Sequence, residues 1–136
     1  MATYTKIMNQ EQVKGFYDEV AKARKITSKN ASDAAAAKAI MVWGCMLTGS
    51  VIAPLTAEAI GTVLVNYASE ISEVNLKAWD RLGAYFDTLC INPDIDLVKF
   101  QVSTKVITIS NVKYTIPYQF VDLAYHSISK GWIPLY

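Results

Sequence analysis

The single histidine is the first residue to consider for chemistry. His126 follows Asp122 by four positions, and on a helix the two side chains would share one face, where a carboxylate can orient an imidazole for proton transfer. A nucleophile for such a pair would be Ser127, Cys45 or Cys90, and no motif surrounds any of them. Two cysteines far apart in sequence are typical of buried free thiols. We therefore predict no catalytic residues and no enzymatic activity.

Two short segments contain residue types that bind phosphate or metal ions. Residues 44–50, GCMLTGS, resemble a phosphate-binding loop, but the lysine that reaches the phosphates is missing because Ser50 follows Gly49 directly. Asp94 and Asp96 could contribute to a calcium site, yet the full set of spaced oxygen ligands is absent. No cysteine and histidine cluster has the spacing of zinc ligands. The sequence thus predicts no cofactor, no metal and no small-molecule substrate.

Length and composition indicate one domain over residues 1–136. The chain is 52% hydrophobic and only 18% charged, against about 25% charged in an average soluble domain. More of the chain than usual therefore needs a core, a partner or a membrane. The net charge of +1 argues against nucleic acid as the main partner.

The charges fall in blocks that are basic, acidic and basic in turn. Residues 1–38 carry seven Lys or Arg and four Asp or Glu, residues 39–96 carry two and seven, and residues 97–136 carry four and one. Opposite blocks could pair within the fold or between copies, or they could be ordinary solvated faces, since surface ion pairs contribute little. The first residues are not followed by the apolar run of a signal peptide. We expect synthesis in the cytoplasm, with storage as an inclusion or release by lysis as later fates.

Helical signals dominate the first two-thirds of the chain. Asn9 and Gln12 have the spacing of a capping box that opens the first helix, and an alanine run drives a second helix from about residue 32. Pro54 cannot lie undisturbed inside a helix, which predicts a break at residues 50–54. A third helix should then reach about residue 72. A fourth should present one apolar face, made of Leu76, Trp79, Leu82, Phe86 and Leu89.

The pattern changes to strands after the turn at residues 92–94. Apolar and polar residues alternate over 99–106 and again over 112–120, and Ser110-Asn111 between them is typical of a tight turn, which together predict a hairpin. Pro117 indicates an edge strand or a strand end. Apolar positions from residue 120 to residue 128 suggest a short final helix. The expected fold class is α+β, with about four N-terminal helices packed on a C-terminal antiparallel β-hairpin.

Small residues recur at intervals of four in the poorly charged region 39–69, where Glu58 is the single charged residue. Ala53, Ala57 and Gly61 would form a smooth helix face that lets another helix approach closely, either within a membrane or within a soluble core. The stretch 39–57 has the residue count of a membrane span. Polar and helix-breaking residues at its centre weaken that interpretation.

Three segments, taken in order over residues 40–120, resemble a known family. Residues 48–57, TGSVIAPLTA, look like a helix start in the Cyt-type cytolytic δ-endotoxins, although Pro54 replaces a non-proline residue. Residues 75–79, NLKAW, are similar to the polar-Ala-Trp stretch after that helix. The apolar spacing over 112–120 resembles one of the family's long strands. The resemblance implies a reduced version of a toxin that wraps helical layers around a sheet. It also implies membrane activity through amphipathic elements that enter lipid, and storage as a crystalline inclusion.

Three functions follow as hypotheses. The first is a small membrane-active, toxin-like protein of the cytolytic or pore-forming type, in which residues 39–69 unpack from the hairpin and enter a lipid membrane. The second is a self-assembling structural or inclusion protein, a homo-oligomer in which an open hairpin edge pairs with other copies. The third is an intracellular binding or immunity module. Aromatic residues suited to the contacts of an assembly are Tyr114, Tyr118, Trp132 and Tyr136.

The C-terminal segment 131–136, GWIPLY, is apolar to its last residue. Chain termini are usually polar and poorly ordered. Leaving Trp132, Ile133 and Leu135 in water would forgo about 1.5–3 kcal/mol per side chain relative to burial. The segment should therefore dock, either against its own helices or into a neighbouring copy.

Overall fold

A computed structural model describes residues 2–28, 33–49 and 55–135. The α+β class is confirmed, but these residues form three helices and four strands, where the sequence predicted four helices and a hairpin. The elements are β1 (Ala2–Asn9), α1 (Gln10–Ser28), α2 (Asp33–Thr48), α3 (Ala57–Ile91), β2 (Ile95–Ile109), β3 (Val112–Ser127) and β4 (Gly131–Pro134). The strands form one antiparallel sheet in the order β1-β2-β3-β4. The three helices are thus inserted between two strands that are neighbours in space.

Local chemistry sets the helix ends. The capping box is confirmed, because the Gln12 amide donates to Asn9 Oδ1 at 2.9 Å and the Asn9 amide donates to Gln12 Oε1 at 3.0 Å. Gly49 follows the last residue of α2 with a φ of 70°, a conformation that costs glycine little. The hydroxyl of Thr56 accepts from the amide of Ala59 at 3.1 Å and opens α3.

The prediction of separate third and fourth helices is wrong, because α3 runs without interruption for 35 residues. No glycine or proline lies near residue 72, so no local signal stops the helix there. The buried stripe of α3 consists of Ala59, Val63, Ile71, Val74, Asn75, Ala78, Leu82 and Tyr85. It shares only Leu82 with the apolar face predicted for the fourth helix, because Trp79, Phe86 and Leu89 are partly buried and Leu76 is exposed. The predicted break at residues 50–54 lies outside the described residues; α2 ends before it and α3 begins after it.

The first strand was not predicted from the sequence. β1 pairs with β2 in continuous register, from Ala2 opposite Thr104 to Asn9 opposite Leu97. Its burial alternates, but the more exposed positions include Ile7 and the more sheltered ones include Lys6, so polarity does not follow burial. A strand whose polarity does not alternate carries little period-2 signal.

The predicted final helix is also wrong, because β3 continues to Ser127. Phe100 pairs with Asp122 and Lys99 with Ala124, so one residue between them on β3 is left unpaired in a β-bulge. A bulge shifts which residues face inward. Phe120 and Tyr125, five positions apart, are therefore both buried in the core, which a strict two-residue alternation would not allow.

The hairpin turn and the core complete the architecture. Ser110 and Asn111 both have positive φ, at 51° and 67°, as a type I′ turn requires, and the predicted turn is confirmed. The core is rich in aromatic rings: the Phe16 ring centroid lies 5.3 Å from that of Trp43 and 5.6 Å from that of Phe100. Such edge and offset ring contacts stabilise a core beyond the area they bury.

One buried amide joins the three helices. Trp43 on α2 donates its indole N–H to Asn75 Oδ1 at 3.0 Å, and Asn75 Nδ2 donates to the carbonyl of Val20 on α1 at 3.3 Å. Because a buried polar group costs free energy unless it is paired, these bonds favour one relative placement of the helices.

Candidate functional site

Four stretches of the sheet have no strand beside them in the part of the chain that is described. They are the outer edge of β1, Ala2–Asn9, the outer edge of β3 over residues 112–123, beyond the reach of β4, the outer edge of the short β4, and β2 over residues 105–109, beyond the end of β1. The edges of β1 and β3 are the longest of the four. Unpaired edges present backbone N–H and C=O groups that can bond to another strand. They are therefore the first places to look for an interaction site.

The β1 edge is flat and regular. Its register with β2 shows no shift from end to end, and it contains no proline. The outward face carries Thr3, Thr5 and Ile7, and Ile7 is 51% exposed. Thr3 and Thr5 are held by side-chain hydrogen bonds to Ser103 and Gln101 on β2. This edge is thus ordered before any partner arrives.

The β3 edge is irregular. Pro117 lies in the part of β3 that has no outer neighbour among the described residues, which agrees with the edge position predicted from the sequence. Register shifts interrupt pairing beside it, between Ser103 and Thr104 of β2 and again between Lys99 and Phe100. Prolines and bulges are the devices by which natural sheets block edge pairing.

The predicted docking of the C-terminal tail is confirmed for residues 131–135. β4 pairs with β3, the Leu135 amide donates to the Leu123 carbonyl at 3.0 Å, and Ile133 and Leu135 pack against the core. Trp132 stays on the outer face, 39% exposed, with its ring 5.0 Å from that of His126. The tail therefore covers part of the β3 edge of its own chain.

The proposed helical pairing of Asp122 with His126 is wrong because both residues lie on β3. Asp122 instead accepts from Arg81 on α3 at 2.8 Å, and His126 Nδ1 lies 2.6 Å from Asp96 Oδ1. Strand β3 gives the two side chains different partners, so the carboxylate beside the imidazole of His126 is that of Asp96, and Asp122 is paired with Arg81. Among residues 2–28, 33–49 and 55–135, no group of three or more His, Cys, Asp or Glu side chains is placed to hold a metal ion.

Asp94 organises the connection between β3 and β4. Its Oδ2 accepts from the hydroxyls of Ser127 and Ser129, both at 2.5 Å, and from the Ser129 amide at 3.1 Å. These hydrogen bonds, first that of Ser127 and then those of Ser129, lower the pKa of the Asp94 carboxyl below its usual range. These hydrogen bonds tie the start of β2 to the connection between β3 and β4.

The predicted assembly residues are not brought together. Tyr114 is only 6% exposed and belongs to the core, which removes it as a surface contact. Tyr118 is half-buried in the middle of β3, and Trp132 lies at the far end of that strand. Tyr136 lies outside the described residues. Of the three that are described, Trp132 is the residue that the fold leaves on the surface.

The described part of the predicted small-residue face, Ala57 and Gly61, is not packed against another helix. Ala57 is exposed, and a Cβ atom added at Gly61 would meet no heavy atom within 4 Å. Ala53 lies outside the described residues. Val65, on the same part of α3, is 84% exposed. No described helix combines the length and the apolarity that a membrane crossing needs.

Comparison with known proteins does not identify this fold: no family model, no curated protein and no solved structure matches the chain. Function must therefore be inferred from the exposed edges and surfaces. Sequence reasoning attached the open edge to the hairpin, whereas the regular free edge belongs to β1. The only signal for it was a short run of strand-forming residues, Thr3 to Ile7, before the helix cap.

Proposed function

We propose that the protein is a self-associating structural protein without enzymatic activity, in which β1 pairs with β1 of a second copy. The observation that carries this proposal is the regular, proline-free outer edge of Ala2–Asn9. Antiparallel pairing of two such edges would join two four-stranded sheets into one of eight strands. It would satisfy backbone groups that otherwise depend on water.

One register of this pairing fits the side chains best. Paired residues must lie on the same side of the sheet, so a two-fold axis has to pass through a residue pair. An axis at Thr5 pairs Thr3 with Ile7 and Tyr4 with Lys6, and uses almost the whole strand. An axis one residue later would place two copies of Lys6 directly opposite each other, and like charges in that position are destabilising. Lys6, the single charge on β1, thus selects the register centred on Thr5.

Substitutions that place a positive or a negative charge at Thr5 test the proposal. Thr5 is exposed on the outer face, so Thr5→Lys and Thr5→Glu should leave the monomer folded. Each variant alone places like charges across the two-fold axis and should lose self-association, whereas an equimolar mixture should regain it. Analytical ultracentrifugation over a wide concentration range measures this. The matched control is Gln119→Lys, an exposed position on β3, which should associate as the unchanged protein does.

The outcomes separate the candidate functions. A monomer at every concentration rejects self-assembly, and a β1 edge that then binds an extended peptide would favour a binding module. If neither Thr5 variant changes self-association, the interface does not include β1. If both variants lose self-association equally and the mixture does not regain it, the register centred on Thr5 is contradicted.

A second candidate is membrane activity, which one observation favours. Residues 59–69 of α3 carry no charge, and they include the exposed Val65 and the open surface at Gly61. This segment could be the part that enters lipid after unpacking from the hairpin. Dye release from neutral and anionic liposomes tests it, with Val65→Asp as the variant that should abolish release. No release by the unchanged protein across a range of pH would reject this candidate.

A further inference from the structure

A cleft opens between the three helices, away from both sheet edges. Its volume is about 260 Å³, a little below the range of about 300–1,000 Å³ that is typical of ligand pockets. Most of its lining is aliphatic, and the apolar residues are Ala36, Ala37, Ile40, Leu64, Ala68, Ile71 and Leu76. Arg24, Ser72 and Asn75 supply its polar groups. A small ligand that is mainly apolar would fit such a space.

Arg24 lines this cleft and also contacts an aromatic ring outside its lining. Its guanidinium carbon lies 5.0 Å from the centroid of the Trp79 ring. A cation over an aromatic ring is attracted by the ring's quadrupole, and the several N–H donors of a guanidinium can still bond to an anion. Among the described residues, no carboxylate lies within ion-pairing distance of Arg24. The cation is therefore positioned and lacks an anionic partner in the described chain.

The other two polar side chains of the cleft, Asn75 and Ser72, differ in their capacity to form a hydrogen bond with a ligand. The amide of Asn75 is already bonded to Trp43 and to the Val20 carbonyl, so it stabilises the helices around the cleft. Ser72 is exposed and carries a hydroxyl that can donate to an anion. A planar carboxylate fits the edge of a guanidinium better than a point charge does, because two parallel hydrogen bonds can form.

We propose that this cleft binds a small amphipathic carboxylate, with its alkyl chain between the helices and its carboxylate on Arg24. The proposal is independent of the β1 pairing, since the cleft shares no residue with that edge. The ligand class follows from one positioned cation beside an aliphatic space of limited size.

Isothermal titration calorimetry with straight-chain fatty acids from butanoate to decanoate tests the proposal, each below its micelle concentration. We expect saturable binding of one molecule per chain. The affinity should rise about fourfold per methylene and level off when the cleft is full. The primary alcohol of equal length should bind more weakly, because it cannot form charge-assisted bonds with the guanidinium.

Two pairs of variants locate the site. Arg24→Gln should lose the preference for acid over alcohol, which we expect to be roughly ten- to a hundredfold, whereas Lys22→Gln, an exposed change on the same helix, should keep it. Ala68→Phe should block the cleft, while Ser69→Phe, a change at the exposed neighbouring position that does not line it, should not. Circular dichroism verifies that each variant is folded.

Three results would overturn the assignment. They are the absence of saturable heat for every acid, equal binding of acid and alcohol, and an undiminished acid preference in folded Arg24→Gln. Because self-association is measured separately with the Thr5 variants, failure of this proposal would leave that experiment unaffected.

Discussion

The outer edges of β1 and β3 differ in almost every physical respect. The β1 edge is regular, free of proline and in unbroken register with its neighbour. The β3 edge has Pro117, three register shifts in its pairing with β2 and a C-terminal strand that covers its last residues. Another strand can approach the β1 edge, whereas the proline, the register shifts and β4 obstruct the β3 edge. This contrast is what makes β1 the better candidate for an interface.

The two edges also differ in how tightly the helices pack against them. The inner side of the β3 edge is clamped by α2, since a Cβ atom at Gly44 would lie 2.7 Å from Pro117 Cδ. β1, by comparison, is tied to α1 by the cap at Asn9, and its Met8 packs against the core while Thr3, Thr5 and Ile7 are exposed. We therefore expect changes at the β3 edge to cost folding stability, and exposed changes on β1 to alter association.

Deletion of residues 132–136 should have the largest effect on stability. It removes the partly buried Ile133 and Leu135 and uncovers the last residues of β3, which should cost about 2–4 kcal/mol in the free energy of unfolding. Urea denaturation measures this, and light scattering should show more aggregation because the open edge is longer. If melting temperature and oligomeric state are both unchanged, the tail is irrelevant to the β3 edge.

Gly44→Ala should force α2 away from Pro117. The clash with a rigid ring should outweigh the gain in helix propensity and lower the free energy of unfolding by about 1–2 kcal/mol. Gly61→Ala is the matched control, because nothing lies within 4 Å of its added Cβ, and it should be neutral or stabilising by up to about 1 kcal/mol. Equal effects of the two changes in thermal melts would show that the clamp is not tight.

Asn9→Ala should weaken the junction between β1 and α1. Loss of the cap should cost about 0.5–2 kcal/mol, measured by urea denaturation, because the Gln12 amide loses its acceptor. Asn66→Ala is the control: Asn66 is exposed inside α3 and bonds only within that helix, so its loss should be nearly neutral. Loss of self-association at Asn9→Ala without loss of stability would mean that the cap positions the edge itself.

Asp94→Asn should show a small, pH-dependent effect at the connection between β3 and β4. The folded state lowers the pKa of Asp94 through the hydroxyls of Ser127 and Ser129. This carboxylate therefore stabilises the fold above its unfolded pKa of about 3.9, and the stabilisation is lost as the pH falls through the folded value. The unchanged protein should exceed the variant in stability at neutral pH, and the difference should shrink in acid.

Denaturation at a series of pH values measures that difference, with the exposed Asp87→Asn on α3 as control. A difference between the unchanged protein and Asp94→Asn that stays constant down to pH values well below about 3.9 would contradict the assignment of the hydrogen bonds to the ionised carboxylate.

Features carried by neighbouring residues could be predicted from the sequence. The capping box at Asn9, the turn at Ser110 and Asn111, and the edge position of Pro117 all depend on contacts or dihedral preferences within a few residues. The errors arose where a local pattern had two meanings. The apolar positions from residue 120 onward suggested a helix, yet they lie on β3, where a bulge in the pairing with β2 interrupts the two-residue alternation.

The candidate sites were harder to predict because they depend on which surfaces remain uncovered. Ala57 and Gly61 were expected to pack against a helix, but α3 leaves that face open. The cleft at Arg24 requires three helices to diverge at one place, and nothing in the spacing of Arg24 and Trp79 along the chain indicates that their side chains stack. Such features exist only after distant segments have packed.

By itself the sequence determined the α+β class, the helix start at Gln10, the hairpin turn and the need of the C-terminal tail to dock. These follow from local propensity and from the free energy of burying apolar side chains, which are properties of short segments. The tertiary structure alone decided that β1 joins the sheet beside β2, across nearly ninety intervening residues, and that β4 covers β3 rather than a helix. Strand pairing is a contact between distant residues, and no short segment encodes its own partner.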